Sequence, residues 1–188
     1  MMRLSKPRIE PVPMEQYLAS RVDGEGRPLE SSAINIGRTW MNHPDLVAAR
    51  RSLGQHLQGP NSTLPRRERE LGIMRMGWWR RSDYEFAQHR TFNTVDGIFT
   101  EDEIRRICIG PDAPGWTPVE STILRTVDEM HNDAFISDST WAALSAHYSN
   151  QQILDFIMLM GQYWTVSTML NSAGVQIEEG KKSFPDSP

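Results

Sequence analysis

The sequence predicts an all-α protein, and three observations carry that expectation. No run of alternating β-branched residues is bounded by turn residues, so strand signals are nearly absent. Helix starts recur with their own punctuation, as in Thr100-x-x-Glu103 and Thr117-Pro118-Val119-Glu120, where side chains satisfy the orphan amides of a first turn. The stretch from Asn150 to Asn171 is apolar almost all round, which marks a helix buried on most sides.

In chain order, residues 1–30 contain Pro7, Pro11, Pro13, Pro28 and a "DGEGRP" turn, and read as an irregular N-terminal arm that wraps something. A helix follows, interrupted at His43-Pro44 and restarted to about Gln58. Pro44 disfavours helical geometry at His43 and suits the first turn of the next helix. A third helix, capped by Ser62 or Thr63, runs to about Trp79, and a fourth opens at Ser82. The two capping boxes open the fifth and sixth, the latter reaching about Asn132. A seventh covers roughly Ser139 to Tyr148, and the eighth, from Asn150, ends before Gly174. The expected architecture is one domain over residues 31–175, a bundle of about eight helices, followed by a flexible, solvated tail over 176–188.

The bulk numbers narrow the function. A chain of 188 residues is long enough for a real core, and 38% hydrophobic with 23% charged residues is ordinary globular composition. The formal charge of −4 argues against a nucleic-acid partner, which needs a basic footprint. The start lacks the apolar core of a secretory signal, and the longest apolar region, Ile153 to Leu170, is broken by Asp155, Gln162, Ser167 and Thr168. The expectation is a cytoplasmic protein with no membrane partner. A helix as apolar as the eighth points to burial against a second subunit, a homo-oligomer, with a central helix of a monomeric bundle as the alternative. Cys108 is the single cysteine, which excludes an intramolecular disulfide, a dithiol redox pair and a thiolate-rich zinc site.

The run "RSDYEFAQH", residues 81–89, carries the densest chemistry and supports two readings. In one, Ser82 and Glu85 form a capping box and His89 is a helix-surface histidine. In the other, Ser82, Glu85 and His89 share one helix face, while Glu70 lies on the preceding, antiparallel helix at the same level of the groove. A carboxylate there would orient the imidazole and leave its other nitrogen as a base near neutral pH. Trp78, Trp79, Tyr84 and Phe86 would make such a pocket apolar and raise a carboxyl pKa. Asn35 and Arg38 are either a clamp for a substrate carboxylate or surface residues. His56, His131 and His147 stand apart, and one histidine with two carboxylates is thin material for a metal site, so no metal is expected.

"RERELGIMRMGWWRRSDYEFAQHRTF", with "GIFTEDEIRRI" behind it and "NIGRTWMNHPDL" before it, resembles the carboxymuconolactone decarboxylase family, which includes the AhpD-like alkylhydroperoxidases. The resemblance covers about residues 35–109 well and the C-terminal helices more loosely. It implies the AhpD-like helical fold and a trimer or a hexamer. In the peroxidase branch the pattern is Glu, eleven residues, Cys, two residues, Cys, three residues, His; here it falls on Glu70, Ser82, Glu85 and His89. Both cysteine positions are replaced, and serine and glutamate cannot cycle through a sulfenic acid or disulfide. The remaining implication is a cofactor-free, decarboxylase-like lyase acting on a small acidic or aromatic-derived metabolite. In it His89 is the general acid/base, Glu70 its orienting partner or a second proton carrier, and Glu85 a third candidate that competes with capping. Tyr84, Ser82, Trp79, Arg38, Asn35 and His43 are the candidate substrate-binding residues. An alkylhydroperoxidase-like antioxidant protein and a non-catalytic binding protein of the same fold are the alternatives.

Overall fold

A computed structural model of the chain describes residues 3–21, 34–60 and 62–186. Among the described residues there are nine helices and no strand. They are α1 (Met14–Ala19), α2 (Asn35–Trp40), α3 (Pro44–Gln58), α4 (Arg66–Trp79), α5 (Asp83–Val95), α6 (Glu101–Ile109), α7 (Pro118–Asp133), α8 (Asp138–Ser145) and α9 (Asn150–Ala173). Helices α2 to α9 are the eight expected from the sequence. The "DGEGRP" turn lies outside the described residues.

Helix α1 falls in the arm expected to be irregular. No side chain caps its start; burial makes it instead, through Tyr17, which is buried against α2. Gly37 permits this approach, since a Cβ there would lie 2.3 Å from the Tyr17 hydroxyl. The segment before α1 crosses the end of α9, with Arg8 and Ile9 amides donating to the Ala173 carbonyl at 2.7 and 3.2 Å. Gly174, at φ 72°, closes α9 in the left-handed conformation that glycine adopts without strain.

Both expected capping boxes are present, at Thr100–Glu103 and Thr117–Glu120, and a third at Ser149–Gln152 opens α9. Two expected caps are not. Helix α4 begins after Pro65, so Ser62 and Thr63 stand too early; their hydroxyls donate to the Leu57 carbonyl (2.8 Å) and to Asp155 (2.7 Å). At the start of α5, Ser82 occupies the N-cap position but makes no side-chain capping bond. Its amide is already committed to the Gly77 carbonyl at 3.0 Å, across a tight turn in which Arg81 adopts φ 49°. The amide that Glu85 would have capped is therefore taken. The Ser82 hydroxyl is buried without a hydrogen-bond partner.

Helix α4 is the hub, packed against α5, α6, α7 and α9. Every residue from Glu70 to Gly77 is buried, so the helix is enclosed on all sides. Gly72 allows α9 to lie close, because a Cβ there would meet the Phe156 ring at 2.8 Å. Two charged side chains lie within this buried span. Arg75 grips Asp128 of α7 through two bonds of 2.6 and 2.8 Å and donates to the carbonyls of Ile107 and Cys108 at the end of α6. Such a fork engages all three guanidinium nitrogens and pairs the charge, as burial requires. Glu70 is matched on the opposite side, by α5.

Helix α9 buries Ile153, Phe156, Leu159, Met160, Tyr163 and Val166 but leaves Leu154, Met158 and Trp164 exposed. Among the described residues no helix is long and apolar enough to cross a membrane. The C-terminal segment, expected to be a solvated tail, instead packs along α5 as far as it is described. Phe184 contacts the rings of Trp78 and Phe86 at centroid distances of 5.2 and 4.7 Å, and Ser183 donates to Asp83 at 3.0 Å. A single aromatic residue in a polar stretch, with an apolar slot to enter, explains the difference.

Two substitutions test this account by urea unfolding. Arg75→Met should lose about 3–5 kcal/mol, because Asp128 is left as a poorly compensated charge. Ser82→Ala should change stability by less than about 0.5 kcal/mol, since no capping bond is lost, whereas removing a working cap would cost about 1 kcal/mol.

Candidate functional site

The three-residue turn between α4 and α5 sets the two helices antiparallel and brings residues 70 and 89 to one level. Glu70 Oε2 lies 2.6 Å from His89 Nδ1. One turn further along α5, Asn93 donates to the same carboxylate oxygen at 3.0 Å. On the other edge of the ring, Nε2 faces Glu85 Oε1 at 3.0 Å and the Tyr163 hydroxyl of α9 at 3.2 Å. The Tyr163 hydroxyl in turn donates to Gln58 of α3 at 3.1 Å. Four helices thus converge on one imidazole, and all of Glu70, Glu85, His89 and Tyr163 are buried.

Electrostatics follow from this arrangement. Burial by itself would disfavour the charged ring, but the adjacent Glu70 and Glu85 carboxylates outweigh it and raise the His89 pKa to about 10. Burial pushes Glu70 upward, yet the His89 charge and the hydrogen bonds from His89 and Asn93 hold it below the ordinary carboxyl value. Burial and the two carboxylates also raise the Tyr163 phenol well above its ordinary value, so it stays protonated. The arrangement favours the protonated ring. The sequence expectation of a free ring nitrogen acting as a base near neutral pH is therefore corrected: Glu85, released from capping, occupies that nitrogen.

The cluster borders a cavity of about 180 Å³, whose wall includes Glu85, His89, Tyr163, Trp40, Arg50 and Phe92. A wider chamber of about 610 Å³ lies outside it, among α1, α2 and α3, and shares Trp40, Arg50 and Gln58 with the inner one. The Arg50 guanidinium stacks over Trp40, 3.8 Å from the ring centroid. Tyr84 and Gln88 also line the inner cavity and are held from behind by Glu178. The Tyr84 hydroxyl donates to Glu178 at 2.8 Å and accepts from the Ile36 amide at 3.1 Å, so it is already engaged. Lys181 completes this brace by donating to Gln88.

The remaining sequence candidates lie elsewhere. Trp79 donates its indole N–H to Asp128 at 2.5 Å and stacks on His131 at 4.7 Å, away from His89. Arg38 donates to the Val12 carbonyl (2.9 Å) and to Asn35 (3.3 Å), and the Asn35 amide donates to the Gln176 carbonyl (2.9 Å), so the pair ties down the arm and the C-terminal segment. The His43 ring caps α3 by accepting from the Leu46 amide at 3.3 Å. Ser82 is sealed in the α4–α5 turn. None of these five lines the cavity beside His89.

Tyr163, Arg50, Gln58, Gln88 and Asn93 were not singled out by the sequence. Asn93 follows His89 by four residues and could have been found by helical spacing. Tyr163 was concealed by the apolar residues around it, and Arg50 stands beside an equivalent-looking Arg51. Cys108 is buried, and burial pushes its thiol up to about 12 against the opposing charges of Arg75 and Arg90, so it remains a thiol. Among the described residues no group of three or more potential ligands is arranged to hold a metal ion; Glu70 and Glu85 face different nitrogens of one ring.

No family model and no curated protein sequence matches the chain. Several solved structures are similar, two of them as follows. One is a protein of unknown function from Agrobacterium tumefaciens, named only provisionally as an antioxidant defence protein AhpD; it is 20% identical over 74% of this chain and 94% of its own, with a TM-score of 0.67. The other is the alkylhydroperoxidase AhpD core of an uncharacterized peroxidase-related protein from Ralstonia eutropha JMP134, 15% identical over 93% of this chain and 95% of its own, with a TM-score of 0.73. Its all-helical architecture and these two likenesses together give this chain the AhpD-like helical fold.

Proposed function

We propose that the chain is a cofactor-free lyase of the carboxymuconolactone decarboxylase type, moving a proton on a small acidic or aromatic-derived metabolite. The observation that carries this reading is His89, held between Glu70 and Glu85 and presented to a cavity. In such a reaction the bond to the departing carboxylate breaks and CO2 leaves. The electron pair passes into a neighbouring carbonyl as an enolate, and the carbon takes a proton from the His89 imidazolium, which solvent restores. A protonated ring suits the donor role, with Glu70 stabilising its charge from the far side. Glu85 is placed to receive or relay the same proton. Trp40, Phe92 and Tyr163 limit water around the enolate.

Peroxide reduction is the second reading, favoured by the names that the similar structures carry. The positions corresponding to the thiol pair hold Ser82 and Glu85, and Cys108 is a buried thiol. Turnover of a panel of small γ-lactone acids, followed by CO2 release, separates the two. His89→Gln and Glu70→Gln should each lower turnover by roughly 10²–10⁴-fold while the helical circular dichroism is kept, and Cys108→Ser should not alter it. Peroxide consumption that persists in Cys108→Ser, without any lyase turnover, would sink the proposal.

The ionisation state gives an independent check. The folded pKa of His89 lies above the ordinary histidine value of 6.5, so its contribution to stability is complete below that value and is lost as pH rises toward about 10. The lowered Glu70 contributes above the ordinary carboxyl value of 4.5 and loses its contribution only as pH falls through the lowered pKa. Urea midpoints measured at intervals between these limits should fall on the alkaline side for the wild type, and fall less for His89→Gln.

We also propose a homo-oligomer, supported by the exposed Leu154, Met158 and Trp164 along α9. Light scattering should give more than one subunit for the wild type and a smaller particle for Met158→Glu. A monodisperse wild-type monomer would contradict this.

A further inference from the structure

Among the described residues Arg50 makes no ion pair, although the Glu85 carboxylate in the same cavity wall acts on it electrostatically. Arg67, Arg75 and Arg90 all have carboxylate partners, at Glu120, Asp128 and Glu101 respectively. Arg50 has neither an ion-pair partner nor a hydrogen-bond acceptor among the described residues. Its guanidinium is nevertheless held in place, with one face on the Trp40 indole and its position in the wall shared by the two chambers. Stacking occupies a face and leaves the N–H edge free, and that edge binds a carboxylate through two parallel hydrogen bonds. A pre-stacked side chain also loses little freedom on binding.

The surroundings select for the same charge. The wall of the outer chamber includes Arg51 beside Arg50, and a second guanidinium near the first favours an anionic ligand there. Inside, the one acid among the described lining residues is Glu85, which faces the His89 ring. Gln162, also in the inner wall, has a buried Oε1 with no partner and offers an acceptor to a ligand O–H or N–H. A single guanidinium complements a single negative charge. A phosphate dianion would meet Glu85 with too few donors.

We infer that Arg50 is the substrate-binding residue of this site and that the substrate is a small monocarboxylate entering through the outer chamber. Its carboxylate pairs with Arg50, and its reacting carbon points inward to His89. This assignment rests on the reading of the inner cavity as a substrate pocket, and it moves the carboxylate clamp from Arg38, which the sequence suggested, to Arg50.

Calorimetry on the full chain tests it with benzoate as the probe and benzamide as its neutral counterpart. Benzoate should bind, benzamide should bind roughly tenfold or more weakly, and Arg50→Gln should reduce benzoate affinity by a similar factor. Arg50→Lys should restore part of that loss, since it keeps the charge without the fork. Equal affinity for the two probes, equal affinity of wild type and Arg50→Gln, or no benzoate binding to the wild type would each overturn the inference. His89→Gln distinguishes this from the proposed reaction: benzoate binding that depends on Arg50, in a protein whose turnover is indifferent to His89, keeps the carboxylate site and removes the proton-transfer mechanism.

Discussion

Helix α4 is enclosed on every side, and the molecule is organised around what that enclosure demands. A buried helix with two charged residues needs an internal partner for each, because neither charge can be left to water. Arg75 solves this by clamping α6 to α7 through Asp128 and two carbonyls. Glu70 solves it on the opposite side through His89 and Asn93 of α5. The same burial requirement therefore produces a structural clamp at one end of the span and a reactive cluster at the other.

The two ends differ in one respect. All three nitrogens of Arg75 donate, to Asp128 and to two carbonyls. The Glu70–His89 pair leaves one ring nitrogen shared between Glu85 and Tyr163, on a wall that faces open space. A buried imidazole with a carboxylate on each side holds its proton firmly, and a ligand that displaces Glu85 changes that balance directly. Proton affinity at this site is thus set first by Glu70 on α4 and then by Glu85 on α5.

The sequence disclosed helices α2 to α9 and the Glu70–His89 meeting, because each rests on short-range spacing or on residue type. It did not disclose the role of Glu85, since Ser82-x-x-Glu85 has the spacing of a capping box. The decision against capping is made by a backbone bond from Ser82 to Gly77 that depends on the left-handed Arg81, and no side-chain pattern records it. Arg38 was a plausible clamp by residue type, but its partners are a carbonyl in the arm and Asn35. Arg50 and Tyr163 reach the cavity through the packing of α3 and α9, at sequence distances where local periodicity carries no information. The tail was misjudged for a related reason: the slot that receives Phe184 is formed by Trp78 and Phe86, far away in the chain.

The C-terminal brace has a consequence for the order of assembly. Glu70 and His89 are 19 positions apart and sit on adjacent helices, whereas Glu178 reaches Gln88 across 90 positions, Tyr84 across 94 and Asn35 across 143. Contacts spanning such distances close large loops, and they form after local ones. On that ground the charged trio is expected to come together before the wall around it. Pulsed hydrogen exchange would register that sequence as early protection of the α4 amides and later protection of the Asn35 and Ile36 amides, which Glu178 and Tyr84 cover.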